Sequence, residues 1–495
     1  MVAIHHNDRS KRQRGLTGVA LKSKVSIQMV LFLDLPVDIL PLIISNLVKP
    51  HHLSSACLVN KTFQEFTVPR LYERVSIYAW QREGKTKVVQ LFTTLAHGPH
   101  LAKYVRRLGL SLSHDALTMS LLLKPPPEIR EFPKAISLDE LGTNVLQGLR
   151  NCINLRACTW TRDGSLNSDI LKALQTSGIL QELEVNGRSE DNYNPALLQG
   201  FTRLARISLI MPSVPVVNHL STWIANTGST LQSLTLICKV VTNPPPSEGS
   251  IDLLNVTHRG VWAVLTGNDA GLLGLGLEGV SAHFDMGELS RRCLKTGALA
   301  RLTSITLTVH PLLPLELWMN DVSTLLSAAP LQNFHIYSTG PFYESPWTEP
   351  FWSQLVATHG HRLLRFSVHR MLISLRAIEE ICRRCTALEQ LFIVVEPESL
   401  PNLGACLAQA NSLRSIHINY PMEAHTDVVP VISVNEALSI IRHCSTTLTQ
   451  FGCNARVWQV SRVINVDAEG RFHAQPMLSP YESPDVPEAF LVVRT

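Results

Sequence analysis

The chain has 495 residues, 45% apolar and 17% charged, with a formal net charge of +4 and ten cysteines. That balance excludes general disorder, and it gives no polyanion-binding signal because part of the small surplus sits in Arg9, Lys11, Arg12, Arg14, Lys22 and Lys24. The cysteines are too scattered for a small disulfide-bonded scaffold and point to reduced thiols in a cytoplasmic or nuclear setting, while the length implies several domains unless a repeat array absorbs it.

Residues 1–30 read as a disordered basic tail, in which KRQR at 11–14 is either a short solvated run or an import signal. The stretch VSIQMVLFLDLPVDILPLII is apolar enough to suggest a membrane span. However, Asp34 and Asp38 would then lie in hydrocarbon, two prolines interrupt it, and no small-x-small cleavage site precedes LDLP. The expectation is no membrane association.

Residues 31–75 form a separate helical unit. Leu35, Ile39, Leu40, Ile43 and Leu47 recur at helical spacing after Pro36, which suits a first helical turn, whereas Pro41 is expected to kink that helix. Leu53, Ala56 and Cys57 mark a second short helix, and Val59, Phe63 and Phe66 are placed on one face of a third. Three helices this short enclose little interior, so some apolar side chains should stay in solvent until a partner covers them.

AWQREGKT at 79–86 satisfies a loose P-loop pattern between a strand-like and a helix-like run. Trp80, Gln81, Arg82 and Glu83 put bulk and negative charge where a phosphate cradle needs converging backbone amides, so no nucleotide site is expected.

From 76 to 455 the chain repeats. Blocks of Leu-x-x-Φ-x-Φ, with Φ a bulky apolar residue, occur as VRRLGL at 105, LRACTW at 155, LQELEV at 180, LARISL at 204, LQSLTL at 231 and LLGLGL at 272. LTSITL at 302, LQNFHI at 331, LLRFSV at 363, LEQLFI at 388, LRSIHI at 413 and LTQFGC at 448 complete about twelve units. Most intervals are 24 to 32 residues, and the longer ones hold Pro-rich inserts such as VVTNPPPSEGS and LLLKPPPEIREFPK. Positions four and six share one face under the two-residue strand period, and positions three and five share the other. Helical patterns such as SDILKALQTSG and LRAIEEICRRC lie between the blocks. The fold class expected is therefore α/β: a solenoid whose strands line up in a parallel concave sheet with helices outside, closed by a C-terminal cap and tail over 456–495.

Three features inside the array could point elsewhere. GLGLEG at 274–279 matches a dinucleotide fingerprint, but its first two glycines occupy positions three and five of a block, which predicts close backbone approach or a widened floor. Cys382 and Cys385 form a CxxC without further metal ligands at comparable spacing, so they read as packing on a helix face; no metal and no cofactor are expected. STGPFYESPWTEPFW at 338–352 carries five aromatics, which either anchor a partner or pack back onto neighbouring helices.

Positions three and five give the expected target-binding ladder: Glu182, Glu184, Arg206, Asn333, His335, Arg365, Phe392 and His417, acidic early and mostly basic later. Arg365 and Phe392 should be neighbours, removable without loss of stability, whereas Phe366 and Leu391 face the core.

LPVDIL, LIISNL and LVNKTF, in that order and spacing, resemble the F-box, with Asp38, Asn60 and Phe63 standing where Glu, Cys and Trp are usual. CTALEQL resembles the Cys-x-x-Leu form of the leucine-rich repeat, without its usual asparagine after the strand. RLYERVSIY, HLAKYVRRLGL and VPEAFLVVRT also look like the F-box and leucine-rich repeat proteins abundant in mushroom-forming fungi. The resemblance implies a non-enzymatic substrate receptor of a cullin-RING ubiquitin ligase, acting on proteins and not on nucleic acid. Docking on an SKP-type adaptor, and through it on cullin, would use Leu35, Pro36, Ile39, Leu40, Ile43, Leu47, Leu53, Val59 and Phe63, some of which must also build the three-helix core. A free-standing repeat scaffold is the alternative.

Overall fold

The twelve apolar blocks become twelve strands of one sheet. The computed structural model describes residues 36–47, 49–78, 84–111, 137–162, 164–189, 192–227, 230–238, 271–279, 285–309, 314–342, 348–420, 432–454, 456–466 and 469–481. The strands are β1 (Arg74–Tyr78), β2 (Arg107–Ser111), β3 (Ala157–Trp160), β4 (Glu182–Asn186), β5 (Arg206–Ile210), β6 (Ser233–Ile237), β7 (Gly274–Glu278) and β8 (Ser304–Val309). They continue as β9 (Asn333–Phe342), β10 (Arg365–Leu372), β11 (Gln390–Val394), β12 (Ser415–Asn419), β13 (Gln450–Cys453), β14 (Arg456–Val466) and β15 (Phe472–Pro480). Spatial order equals chain order throughout. β1 to β13 pair in parallel, and β14 and β15 close the far edge as an antiparallel hairpin, the form taken by most of the expected C-terminal cap.

Register follows the block pattern. Position four runs without a slip through Leu108, Cys158, Leu183, Ile207, Leu234, Leu275, Ile305, Phe334, Phe366, Leu391, Ile416 and Phe451. All twelve are buried, as are the leucines at position one from Leu155 to Leu448. Each unit thus adds its apolar side to a continuous core that no single unit could enclose.

The helices that cover this side are α4 (Gly84–His97), α5 (Pro99–Ala102), α6 (Leu138–Asn151), α7 (Ser168–Gln175), α8 (Val214–Thr227), α9 (Met286–Thr296), α10 (Leu315–Leu326), α11 (Thr348–His359), α12 (Leu375–Arg384), α13 (Leu400–Leu407) and α14 (Val434–Ile441). Asn167, Asp285, Ser374 and Ser433 cap their helices by accepting a backbone N–H, and Ser433 with Glu436 makes a reciprocal capping box. Gly297 ends α9 at φ 67°, a conformation that favours glycine.

Ahead of the sheet stand α1 (Leu40–Ser45), α2 (Pro50–Cys57) and α3 (Lys61–Glu73). Their own core is small: Leu40, Ile44 and Leu53, with Leu47, Phe63, Phe66 and Leu71 packed partly against it. Pro41 does not kink α1. The helix begins only at Leu40, after a 3-10 turn at Val37–Ile39, so Pro41 lies in the first turn, where its missing N–H costs nothing. Val59 is not on the third helix either, because Asn60 caps that helix and Val59 precedes it.

Among the described residues, no helix is long and apolar enough to cross a membrane.

Candidate interaction surfaces

The helical unit keeps several apolar side chains in solvent. Leu42 is 66% exposed and Leu58 85%, with Val37, Ile39 and Val59 also exposed. Of the nine residues expected at an adaptor contact, Leu35 lies outside the described residues, Leu40 and Leu53 are core, and Ile43, Leu47 and Phe63 are half-buried. Only Pro36, Ile39 and Val59 are exposed. The two most accessible leucines of this helical unit, Leu42 and Leu58, lie off the amphipathic stripe that the sequence pattern marks. Leu42 sits two residues from both Leu40 and Ile44, on the far side of a 3.6-residue helix.

On the sheet, positions three and five do face away from the helices. In the first of these rows Glu182, Arg206, Asn333 and Arg365 lie in one ladder with Ser233, Gly274 and Ser304 between them. In the second, Glu184, His335, Phe392 and His417 lie in register with Thr235, Gly276, Thr306 and Ser367. The expected side-by-side placement of Arg365 and Phe392 is present as a diagonal pair, with the guanidinium carbon 4.9 Å from the ring centroid.

Two expectations about this face fail. Phe392 is only 3% exposed and His417 1%, so neither is an open anchor. They belong to a stack of rings: His335 on His369 at 5.2 Å, His369 near Phe392 at 6.0 Å, and Phe392 on His417 at 6.3 Å. His369 is held between the Ser367 hydroxyl at 2.9 Å and the Asn419 amide at 3.4 Å. His417 bonds through Nε2 to the carbonyl of Asn454, in the turn that carries β13 into β14. Burial holds the His417 imidazole down to about 4, and burial, then the neighbouring His335, His417, Arg365 and Arg370, push His369 well below its ordinary value. Phe392→Ala is therefore expected to cost about 2 to 4 kcal/mol, close to the roughly 3 to 5 kcal/mol expected for Phe366→Ala, while Arg365→Ala costs about 1 kcal/mol or less. Urea midpoints of the three variants at unchanged m-value check this.

The early acidity of the ladder is also masked. Glu182 accepts from Arg107 at 2.8 Å and from Arg206 at 3.2 Å, a clasp that spans β2 to β5. Glu184 takes Thr159 Oγ at 3.4 Å.

The remaining sequence features find structural places. Gly274 and Gly276 lie in β7 where the neighbouring strand is close: a Cβ on either would meet Ser233 or Thr235 at 2.7 Å. Cys382 and Cys385 are buried in the core, where desolvation raises both thiols, Cys385 to about 12. Phe351 and Trp352 pack inward from α11 against Phe334, whereas 343–347 lie outside the described residues, as do 79–83 of the P-loop-like run and the basic run at 11–14. Among the described residues, no group of three or more His, Cys, Asp or Glu is placed to hold a metal ion.

Comparison with known protein families finds no matching family model, and a search of the curated proteins finds no match.

Proposed function

We propose that the chain is a non-catalytic substrate receptor of a cullin-RING ubiquitin ligase, in which α1–α3 act as an F-box docking on an SKP-type adaptor and the leucine-rich repeat sheet holds the target protein. The observation that carries it is the division of labour in the first helices. A core of three buried side chains leaves Leu42 and Leu58 in water, immediately before a platform of thirteen parallel strands. Leaving two leucines exposed forfeits about 1.5 to 3 kcal/mol each relative to burial. An adaptor that covers them recovers that free energy on binding. Co-purification of the tagged full chain tests it: adaptor and cullin should be recovered together. Their absence, under conditions that recover a known F-box protein, rejects the ligase role and leaves a free-standing repeat scaffold.

A further inference from the structure

Exposed apolar side chains gather a second time at the far end of the sheet, on the β14–β15 hairpin, where Ile464 is 68% exposed and Phe472 76%, with Val466 exposed beside them. The antiparallel register sets Val460 opposite Leu478, Ile464 opposite Ala474 and Val466 opposite Phe472, all on one face because each pair is an even number of residues from the next. The first pair belongs to the repeat core, Val460 buried and Leu478 packed partly against it. The other two pairs are in water. On the opposite face Asn465 donates to the Gln475 side-chain oxygen at 3.0 Å. Apolar on one side and largely polar on the other is the pattern of strands with one covered face, yet here only the base of that face is covered.

The outer edge of β15 is unsuited to taking up a further strand, because Pro476 and Pro480 supply no N–H to a ladder and are tolerated where that side of the strand faces outward. An occupant therefore lies across the apolar face. A second copy of the chain fits it poorly: a patch on the order of 400 Å² is about half of the roughly 800 Å² per partner that a stable interface buries. A segment of the same chain meets the face at an effective concentration of order millimolar and needs less area.

The chain carries such a segment. Tyr481 is the last described residue, and after it the sequence runs ESPDVPEAFLVVRT, in which Ala489, Phe490, Leu491, Val492 and Val493 are five consecutive apolar residues. Phe472 lies nine residues back from Tyr481 along β15, about 30 Å at about 3.3 Å per residue. Residues 489–493 lie eight to twelve residues beyond Tyr481, a reach of up to about 26 to 40 Å, so the apolar run and the apolar face match in distance as well as in chemistry.

We propose that residues 489–493 seat on the face formed by Ile464, Val466, Phe472 and Ala474, so that the C-terminal segment closes the far end of the solenoid. This closure is independent of the adaptor and target roles.

Hydrogen exchange of the full-length chain, with light scattering on the same samples, tests it. In the wild type the amides of 489–493 should exchange at least about tenfold more slowly than in an unstructured peptide. Ile464→Ser combined with Phe472→Ser should abolish that protection and leave β2–β13 unchanged, since both side chains are exposed. The reciprocal variant, Phe490→Ser with Val492→Ser, leaves every described residue intact and should speed exchange of the Ile464 and Val466 amides by about fivefold or more. The proposal is overturned if 489–493 exchange at the unstructured rate, if their protection survives the hairpin double variant, or if the reciprocal variant leaves the hairpin amides unaffected. A wild-type dimer that the hairpin double variant splits, with 489–493 unprotected, would overturn it in favour of a second copy. Adaptor capture should be the same in all these proteins, so failure of the closure leaves the docking role of α1–α3 standing.

Discussion

Replacing Leu42 and Leu58 together by Asp is expected to abolish adaptor capture by at least about a hundredfold while leaving the melting curve of the chain unchanged. Both side chains are in water in the isolated protein, so a charge there costs the fold almost nothing. In a complex that buries them, each carboxylate would be desolvated without a partner, at about 2 kcal/mol or more apiece, and every 1.4 kcal/mol is about tenfold in affinity. Leu40→Asp is the control of opposite kind: Leu40 is one of the three buried members of the small core, so it should unfold α1–α3 and lose capture for that reason. Circular dichroism separates the two outcomes, since the sheet does not depend on Leu40. Capture that survives the Leu42, Leu58 double substitution would show that the adaptor face lies elsewhere.

The repeat was legible in the sequence because it is written twelve times in a single grammar. Each block fixes position one by a buried leucine, or by the buried Val105 in the first, and positions four and six by the strand period, so errors at one block are outvoted by the others. Single events were harder to read. Pro41 looked like a breaker only because the helix start was placed at Pro36, four residues upstream of the actual start at Leu40. Phe392 and His417 were assigned correctly to the outer face, but period-two geometry tells only which way a side chain points. Whether rings from successive strands stack into a buried layer depends on register between units and on the Asn454 turn, which pairwise patterns do not encode. Exposed Leu42 and Leu58 escaped because apolar periodicity identifies what is inside, while an interface consists of the apolar residues that break it.

Acidification from about pH 7 to about pH 4 is expected to destabilise the repeat domain by several kcal/mol, through imidazoles buried in their neutral form. In the unfolded chain a histidine titrates near its ordinary value of about 6.5. In the folded protein His417 and His359 are each held down to about 4, mainly by burial, and His369 lies well below 6.5 between His335, His417, Arg365 and Arg370. Between those limits the unfolded state binds more protons than the folded one, so stability is full above about pH 7 and falls as the pH drops toward the folded values. A displacement of about 2.5 pH units corresponds to roughly 3 kcal/mol for one such group. The glutamates act in a different window: Glu288, hydrogen-bonded by Arg292 and Arg291, and Glu436, bonded to the Ser433 backbone, are both lowered, so their contributions fade only below about pH 4.5. Urea midpoints between pH 8 and pH 4 should therefore decline most steeply over the histidine range. His417→Gln should flatten that decline, since glutamine carries no titrating group, even if it lowers stability at pH 8 through the lost bond to Asn454. A wild-type midpoint that stays level down to pH 4.5, or a slope unchanged in His417→Gln, would show that the ring stack on β9–β12 admits protonated imidazole, and with it the water that such a charge requires.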